Sequence, residues 1–489
     1  LNQIAAGSTA VAMNQDQAAP AFGFEGDYNL RISRIYKFPA GLRALGTRYI
    51  EPMLVAIGPY HRHLPHLQGM EQVKRLATDH FVNQVEPTRE ELYAAVLHVA
   101  GTARLLYGYG IIPPAPAAGD APAADQQVPP PAQEQHHQAL PAGDAHQQAP
   151  AQEQQQQAPP AAAQHGNNPP PPMGDIEFAD MLFHDACFLL QYIRVRMLNN
   201  TGPPSLAHLF YSKRSVINND IMLLENQLPW LVLSSLINLT GHVPVTRFIV
   251  RLASVFHARR GLGVEQGFEL GDYRPAHLLA LLRFHMKGDM TRQVDMLVNT
   301  PNQISVSFNA IGLEEIGIKL KVSDGNMFAD MRINKRSLLP GRKLVLPPLL
   351  LGNVSVTCLV NMAALEVCTG ISFVDNNTVV CSYVGILAML MHREDDVHQL
   401  RAMHLVQGEL TDRETLDLFT SLGKHLPSGE RYVSILESIE EYKLGNWLWI
   451  AVHRFFYLYF TKIATFFAAI GSIAGVFKAF ELIVVKKHQ

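Results

Sequence analysis

The sequence predicts a mainly α fold, an α-rich α+β architecture. It has a large helical domain, a small β-sheet element and a C-terminal transmembrane helix. Three observations predict it. Apolar residues recur at helical spacing, as at Met70, Val73, Leu76, Ala77 and Phe81. From 304 to about 357 the texture changes to short, partly alternating runs divided by Gly, Asn and Pro, as in "IGIKLKVSD", "FADMRIN" and "RKLVLPPLLLG". The carboxy-terminal run over 446–489 is strongly apolar and aromatic.

In chain order, residues 1–30 are polar and small and read as a disordered tail. They lack the charged start and apolar core of a signal peptide. Residues 31–112 form the first part of a domain. "SRIYKFPAGLRAL" reads as a short helix and "EPMLVAIGPYHR" as a strand, with β-favouring Val55 and Ile57 ahead of a Gly58-Pro59 turn. Residues 113–172 are almost entirely Pro, Ala, Gln, Gly, Asp and His, so they bury too little apolar surface to order and read as a disordered insertion.

Residues 173–445 complete the domain. Phe178, Met181, Leu182, Asp185, Leu189 and Tyr192 lie near one stripe of a helix. A second helix is expected through "NNDIMLLENQLP", with Asn218 to Asp220 as its N-cap, and Pro229 either kinks it or opens the next helix, "WLVLSSLINL". "PAHLLALLRFHM", "SVTCLVNMAALEVC", "VCSYVGILAMLMH" and "DRETLDLFTSLGKHL" also read as helices. Residues 446–489 form an aromatic juxtamembrane segment and the expected span, Ile463 to Val485. Phe467 lies on it, and Gly471 and Gly475 offer small residues for close helix approach. Lys478 and Glu481 interrupt the run, and a buried helical hairpin is the alternative. Basic residues flank both ends, so no orientation follows.

Composition narrows the function. The 489 residues are 48% hydrophobic with a formal net charge of −3. That is ample for a core, in one large domain or two or three ordinary ones. With no basic excess, no nucleic-acid partner is expected. Cys187, Cys358, Cys368 and Cys381 form no C-x-x-C pair, which speaks against zinc. One disulfide among the last three, or four reduced buried thiols, fits the spacing.

Catalytic motifs are lacking in the sequence. There is no phosphate loop of the G-x-x-x-x-G-K-[ST] type and no G-x-S-x-G elbow. "GLGVEQG" (261–267) has the wrong spacing for a dinucleotide loop. "HRHLPH" (His61, His63, His66) reads as a solvated loop, and "HREDD" (392–396) as a helix start. In "HDAC" (184–187) neighbouring side chains point in different directions, which opposes a Cys-His dyad. No catalytic residue, metal ligand, cofactor or small-molecule substrate is therefore assigned. Asn199, Asn238, Asn353 and Asn376 head N-x-[ST] sequons, which matter only in a secretory lumen.

The stretch "DIMLLENQLPW" places Glu225, Asn226 and Gln227 between apolar runs. Glu225 would sit beside a buried face and need a donor, with His208, Lys213, Arg214 and Arg283 as candidates. The trio reads as a structural pin. The alternative is an enzyme site assembled from distant residues such as Glu225, His184 or Cys187.

In order along the chain, "IYKFP", "EPMLVAIGPYHR", "MLFHDACFLLQYI", "NDIMLLENQLPWLVL", "HLLALLR" and "VCSYVGILAMLMHREDDVHQLR" resemble the plant family called domain of unknown function 247. Gly58, Pro59, Tyr60, Glu225, Asn226, Gln227 and Pro229 carry its two most specific runs. The chain departs from the family in "LFHDACF" and "HLVQGEL". The resemblance implies a non-catalytic, membrane-anchored plant protein of recognition or signalling with an unidentified protein partner, at the plasma membrane or an endomembrane. Some grass relatives are implicated as pollen-side determinants of self-incompatibility. An intracellular scaffold is the other alternative.

Overall fold

The computed structural model describes residues 33–108, 173–198, 203–241, 243–257, 266–288, 308–335, 341–369 and 378–487. The expected disordered tail (1–30) and insertion (113–172) lie outside the described residues.

Helices α1 (Gly69–Val82) and α2 (Arg89–Leu106) pack against α3 (Asp175–Leu198). Thr88 starts α2 with a capping box: its hydroxyl accepts from Glu91 N–H while the Glu91 carboxylate accepts from Thr88 N–H. α3 is buried on nearly every face from Phe178 to Met197. That is the fate of a helix that is apolar all round. At the two edges of the expected insertion, Arg104 donates to Gly174 O (3.1 Å) and pairs with Asp175 (3.2 Å). The segments before and after 113–172 therefore build one core.

The chain continues through α4 (Pro204–Ser212), α5 (Arg214–Asp220), α6 (Trp230–Thr240), α7 (Val245–Ala253), α8 (Leu278–Lys287) and α9 (Ala310–Glu315). The expected sheet follows. Strands β1 (Ile318–Val322), β2 (Arg332–Lys335) and β3 (Arg342–Leu346) lie in the order β1-β3-β2. β1 runs parallel to β3, with Leu320 opposite Leu344, and β2 antiparallel, with Ile333 opposite Leu344. β4 (Leu349–Leu351) leads into α10 (Asn353–Thr369), α11 (Val379–Leu390) and α12 (Glu394–Ala402), then pairs in parallel with β5 (Val406–Gly408). α13 (Asp412–His425), α14 (Glu430–Gly445) and α15 (Trp447–Lys487) close the chain.

Two expectations fail here for one reason. Residues 54–57 are irregular and join no sheet, and the chain leaves the helix after Asp220 instead of entering one. Asn218 to Asp220 end α5, and Pro229 precedes α6 rather than kinking a longer helix. In both stretches side chains replace the regular backbone ladder, as the next subsection describes.

Among the described residues, α15 docks at its start. His453 Nδ1 lies 3.0 Å from Glu315 O, and Arg454 pairs with Glu315 at 3.5 Å. Beyond this, Phe455, Phe456, Phe466, Phe467, Ile470 and Phe477 are exposed, as are Gly471 and Gly475. Among the described residues, no helix is long and apolar enough to cross a membrane. The side chains of Ile463 and Val485, at the ends of the expected span, lie outside the described residues.

Candidate functional site

Asp220 and Asn226 bond to the irregular segment 53–57. Asp220 Oδ1 accepts from Met53 N–H (2.9 Å), and its Oδ2 accepts from Leu54 and Val55 N–H (2.7 and 2.9 Å). Asn226 Oδ1 accepts from Ile57 N–H (2.6 Å) while its Nδ2 donates to Val55 O and Asp220 O (3.0 and 2.9 Å). A neighbouring strand would offer just such donors and acceptors, so these side chains stand in for a sheet partner. Gln227 Nε2 donates to Ile221 O and Leu223 O (both 2.8 Å), and its Oε1 accepts from Leu279 N–H at the start of α8 (3.1 Å). Leu224 N–H donates to buried Asn361 on α10 (2.8 Å).

The other motif locks onto the same place. Gly58 N–H donates to Asp185 Oδ2 (2.7 Å), whose Oδ1 pairs with the buried ammonium of Lys74 (2.7 Å). Burial pushes the Asp185 pKa up, and Lys74 and the Gly58 amide oppose that rise. Gly58 has φ 73°, and a Cβ there would lie 2.6 Å from Tyr107 Oη, so only glycine fits. Tyr107 OH donates to Gln227 O (2.8 Å), and Tyr60 OH donates to Tyr107 O (2.5 Å). Pro59 is buried beside them, and Pro229 leads into Trp230, whose N–H donates to Ala276 O (2.7 Å).

Glu225 is 7% exposed. Its donors are Phe38 N–H (2.7 Å) and Arg43 (3.2 Å), not the His208, Lys213, Arg214 or Arg283 expected from the sequence. Burial raises its pKa, against the Phe38 amide and Arg43. His61 Nε2 lies 3.6 Å from Glu225 Oε2. Burial, then neighbouring cations, pushes His61 down to about 4, so it is a neutral imidazole at pH 7 and a weak base. Burial, with Glu225 adding to it, pushes the Cys368 thiol up to about 12, and it donates to Lys37 O (3.5 Å). A thiolate is not produced by this arrangement.

The remaining candidates scatter. His184 Nδ1 bonds Thr78 Oγ1 (2.9 Å), and Cys187 is fully buried with its thiol pKa raised by that burial. His63 and His66 are exposed while His61 is buried. Among the described residues no group of three His, Cys, Asp or Glu could hold a metal. All four cysteines are unpaired. Asn238 and Asn353 are exposed, on α6 and at the first residue of α10. Asn199 and Asn376 lie outside the described residues.

Sequence reasoning missed the pins Asp220, Asn361, Glu366 and Asp396. Glu366, fully buried, accepts from Val380 and Cys381 N–H and from Arg283. Asp396 accepts from His392 and Arg393 N–H and from Asn309. The signal available for such residues is an acid or amide inside an apolar run, as at Asp185 and Glu366.

Two open features lie elsewhere. One cavity of about 560 Å³ sits between α11 and α13, lined by Gly385, His392, Lys424 and Tyr432. A cleft of about 790 Å³ lies where α3, α5 and α7 meet β4 and the start of α10, and includes Arg196, Arg214 and Arg251.

No curated protein and no solved structure matches the chain. A family model, described as a plant protein of unknown function, matches residues 35–474 and so takes in the pins, the sheet, the cleft and most of α15. The chain belongs to that plant family, DUF247.

Proposed function

We propose that the chain is a membrane-anchored plant protein of recognition or signalling, with no catalytic centre of its own. The observation that carries this reading is the exposed apolar surface of α15 beyond Arg454, where Phe466, Phe467, Ile470, Ile473, Val476 and Phe477 are exposed. An apolar surface of that extent on a helix calls for lipid or a protein partner. Trp447, Tyr457 and Tyr459 precede it, as an interfacial belt would. The pinned 220–227 region supports the non-catalytic part, because backbone amides already occupy both Asp220 oxygens, Glu225 Oε1, Asn226 Oδ1 and Gln227 Oε1. A pollen-side role in self-incompatibility, implied by the family resemblance, is a narrower form of the same reading.

The test is alkaline carbonate extraction of plant membranes, followed by a glycosidase gel-shift. Retention in the pellet is expected. A mobility shift would place the large domain on the lumenal or external side, as external recognition requires. Retention without a shift favours an intracellular role. Release by carbonate would sink the anchor.

A further inference from the structure

Arg196 is 8% exposed, near the C-terminal end of α3. Its guanidinium carbon lies 5.1 Å from the Tyr211 ring centroid and the group hydrogen-bonds the Tyr192 side chain, while its Nε has no hydrogen-bond partner. Among the described residues no carboxylate pairs with it. Buried arginines are ordinarily paired, because an unpaired buried charge is costly. Arg214 and Arg251 share the same cleft, are exposed, and likewise have no carboxylate partner among the described residues. Three guanidinium groups thus face a cleft whose acidic lining is Glu409. His257 adds no charge at pH 7, since burial holds its pKa at about 4.

The lining also includes Gly352 to Ser355, at the start of the 17-residue α10. A helix N-terminus carries partial positive charge and favours anions. The cleft therefore joins three guanidinium groups that lack a carboxylate partner among the described residues to a helix start. Phe248, Leu252, Val255 and Leu350 supply apolar lining beside them. Planar guanidinium groups match the oxygens of a phosphoryl group, and the volume suits a small organic body attached to it.

We propose that this cleft binds a phosphate monoester, with Arg196, Arg214 and Arg251 on the phosphoryl oxygens and the apolar wall on the organic part. The phosphate can belong to a soluble ester or to a phosphorylated lipid headgroup.

The full chain, purified in detergent, is titrated calorimetrically with inorganic phosphate and with glucose 6-phosphate, with chloride at matched ionic strength as control. Saturable phosphate binding is expected, with the ester binding more tightly. The exposed double substitution R214Q/R251Q should weaken it by about tenfold or more at an unchanged melting temperature. R196Q should weaken it too, but the exposed pair decides if R196Q unfolds the chain. Vesicles of phosphatidylcholine with and without phosphatidylinositol 4-phosphate then separate the two sources. Preference for the phosphorylated vesicles, lost in R214Q/R251Q, identifies a headgroup, and soluble binding without that preference identifies a free ester. Chloride as effective as phosphate, or R214Q/R251Q binding like the parent, would overturn the proposal.

Discussion

Asp220 and Val55 are 165 positions apart in the chain, yet the Asp220 carboxylate accepts the Val55 amide at 2.9 Å. With the neighbouring amides of Met53 and Leu54 it accepts three in all, so one side chain holds three consecutive residues.

Asn226 is the harder pin to replace, because it uses both ends of its amide. Asn226→Ala leaves Ile57 N–H, Val55 O and Asp220 O without that partner in a fully buried setting. Each orphaned group costs ~1–3 kcal/mol, so a loss of about 3 kcal/mol or more is expected in chemical denaturation. Asn226→Asp should be no better, since an oxygen would then face two carbonyls.

Glu225 separates the structural reading from the enzymatic one. Glu225→Gln keeps an acceptor for Phe38 N–H and loses only the charge pairing with half-exposed Arg43. Its stability should stay within about 1 kcal/mol of the parent, while Glu225→Ala should lose about 2 kcal/mol. A biological readout abolished by Glu225→Gln at normal stability and abundance would instead favour an enzyme.

Legibility followed local pattern. The helices read from local apolar spacing, as at Met70 and Phe81, came through, and β1 to β4 through alternation and turn residues, while α2, α4, α7, α9 and α14 were not read. The ends of α5 and the irregular 221–229 did not, because apolar residues at Ile221, Leu224 and Leu228 mimic a helical face while Asp220 and Asn226 in fact bond to residues 53–57. Sequence spacing says nothing about a partner more than 160 positions away. Val55 and Ile57 misled for the same reason: their side chains favour β structure, but the partners of their backbone are side chains. The polar trio stood out as buried and needing donors, whereas the identity of Glu225's donors, Phe38 N–H and Arg43, came only with the tertiary fold. The arginine cleft is invisible in sequence, since Arg196, Arg214 and Arg251 form no run.

His277 provides a pH test. It is fully buried, accepts Ala280 N–H through Nδ1 at the start of α8, and burial pushes its pKa down to about 3. The unfolded chain takes up a proton near pH 6.5 that the folded chain refuses, so this contribution to stability is present above pH 6.5 and is lost as pH falls from there towards about 3. His61 and His257, both held near 4, act in the same direction. Asp220, raised by burial to about 6, acts oppositely and loses its contribution as pH rises through 6. Comparing parent and variant isolates His277: His277→Asn keeps a capping oxygen, and its slope of stability against pH should be shallower by about 1.4 kcal/mol per pH unit between 4 and 6. An unchanged slope would show that His277 is not held neutral.

Replacing residues 113–172 by a short Gly/Ser linker should leave the fold intact. Arg104 already clamps Gly174 and Asp175 at the two edges. Loop-closure cost changes by only ~0.6 kcal/mol per doubling of length, so the denaturation midpoint should barely move, and if anything rise. A large loss of cooperativity would mean that the insertion contributes to the core.

The long reach of the Asp220 and Asn226 pins also sets a schedule for synthesis. Translation delivers about 5–20 residues per second, so Met53 to Ile57 emerge on the order of ten seconds or more before the side chains that will bond them. Throughout that interval the segment carries open amides and β-favouring side chains, the features of an unprotected strand edge. A nascent chain stalled before Asp220 would expose a ready template for aggregation. Ribosome pausing or chaperone engagement between these two stretches would bear directly on how much of this protein a cell can accumulate.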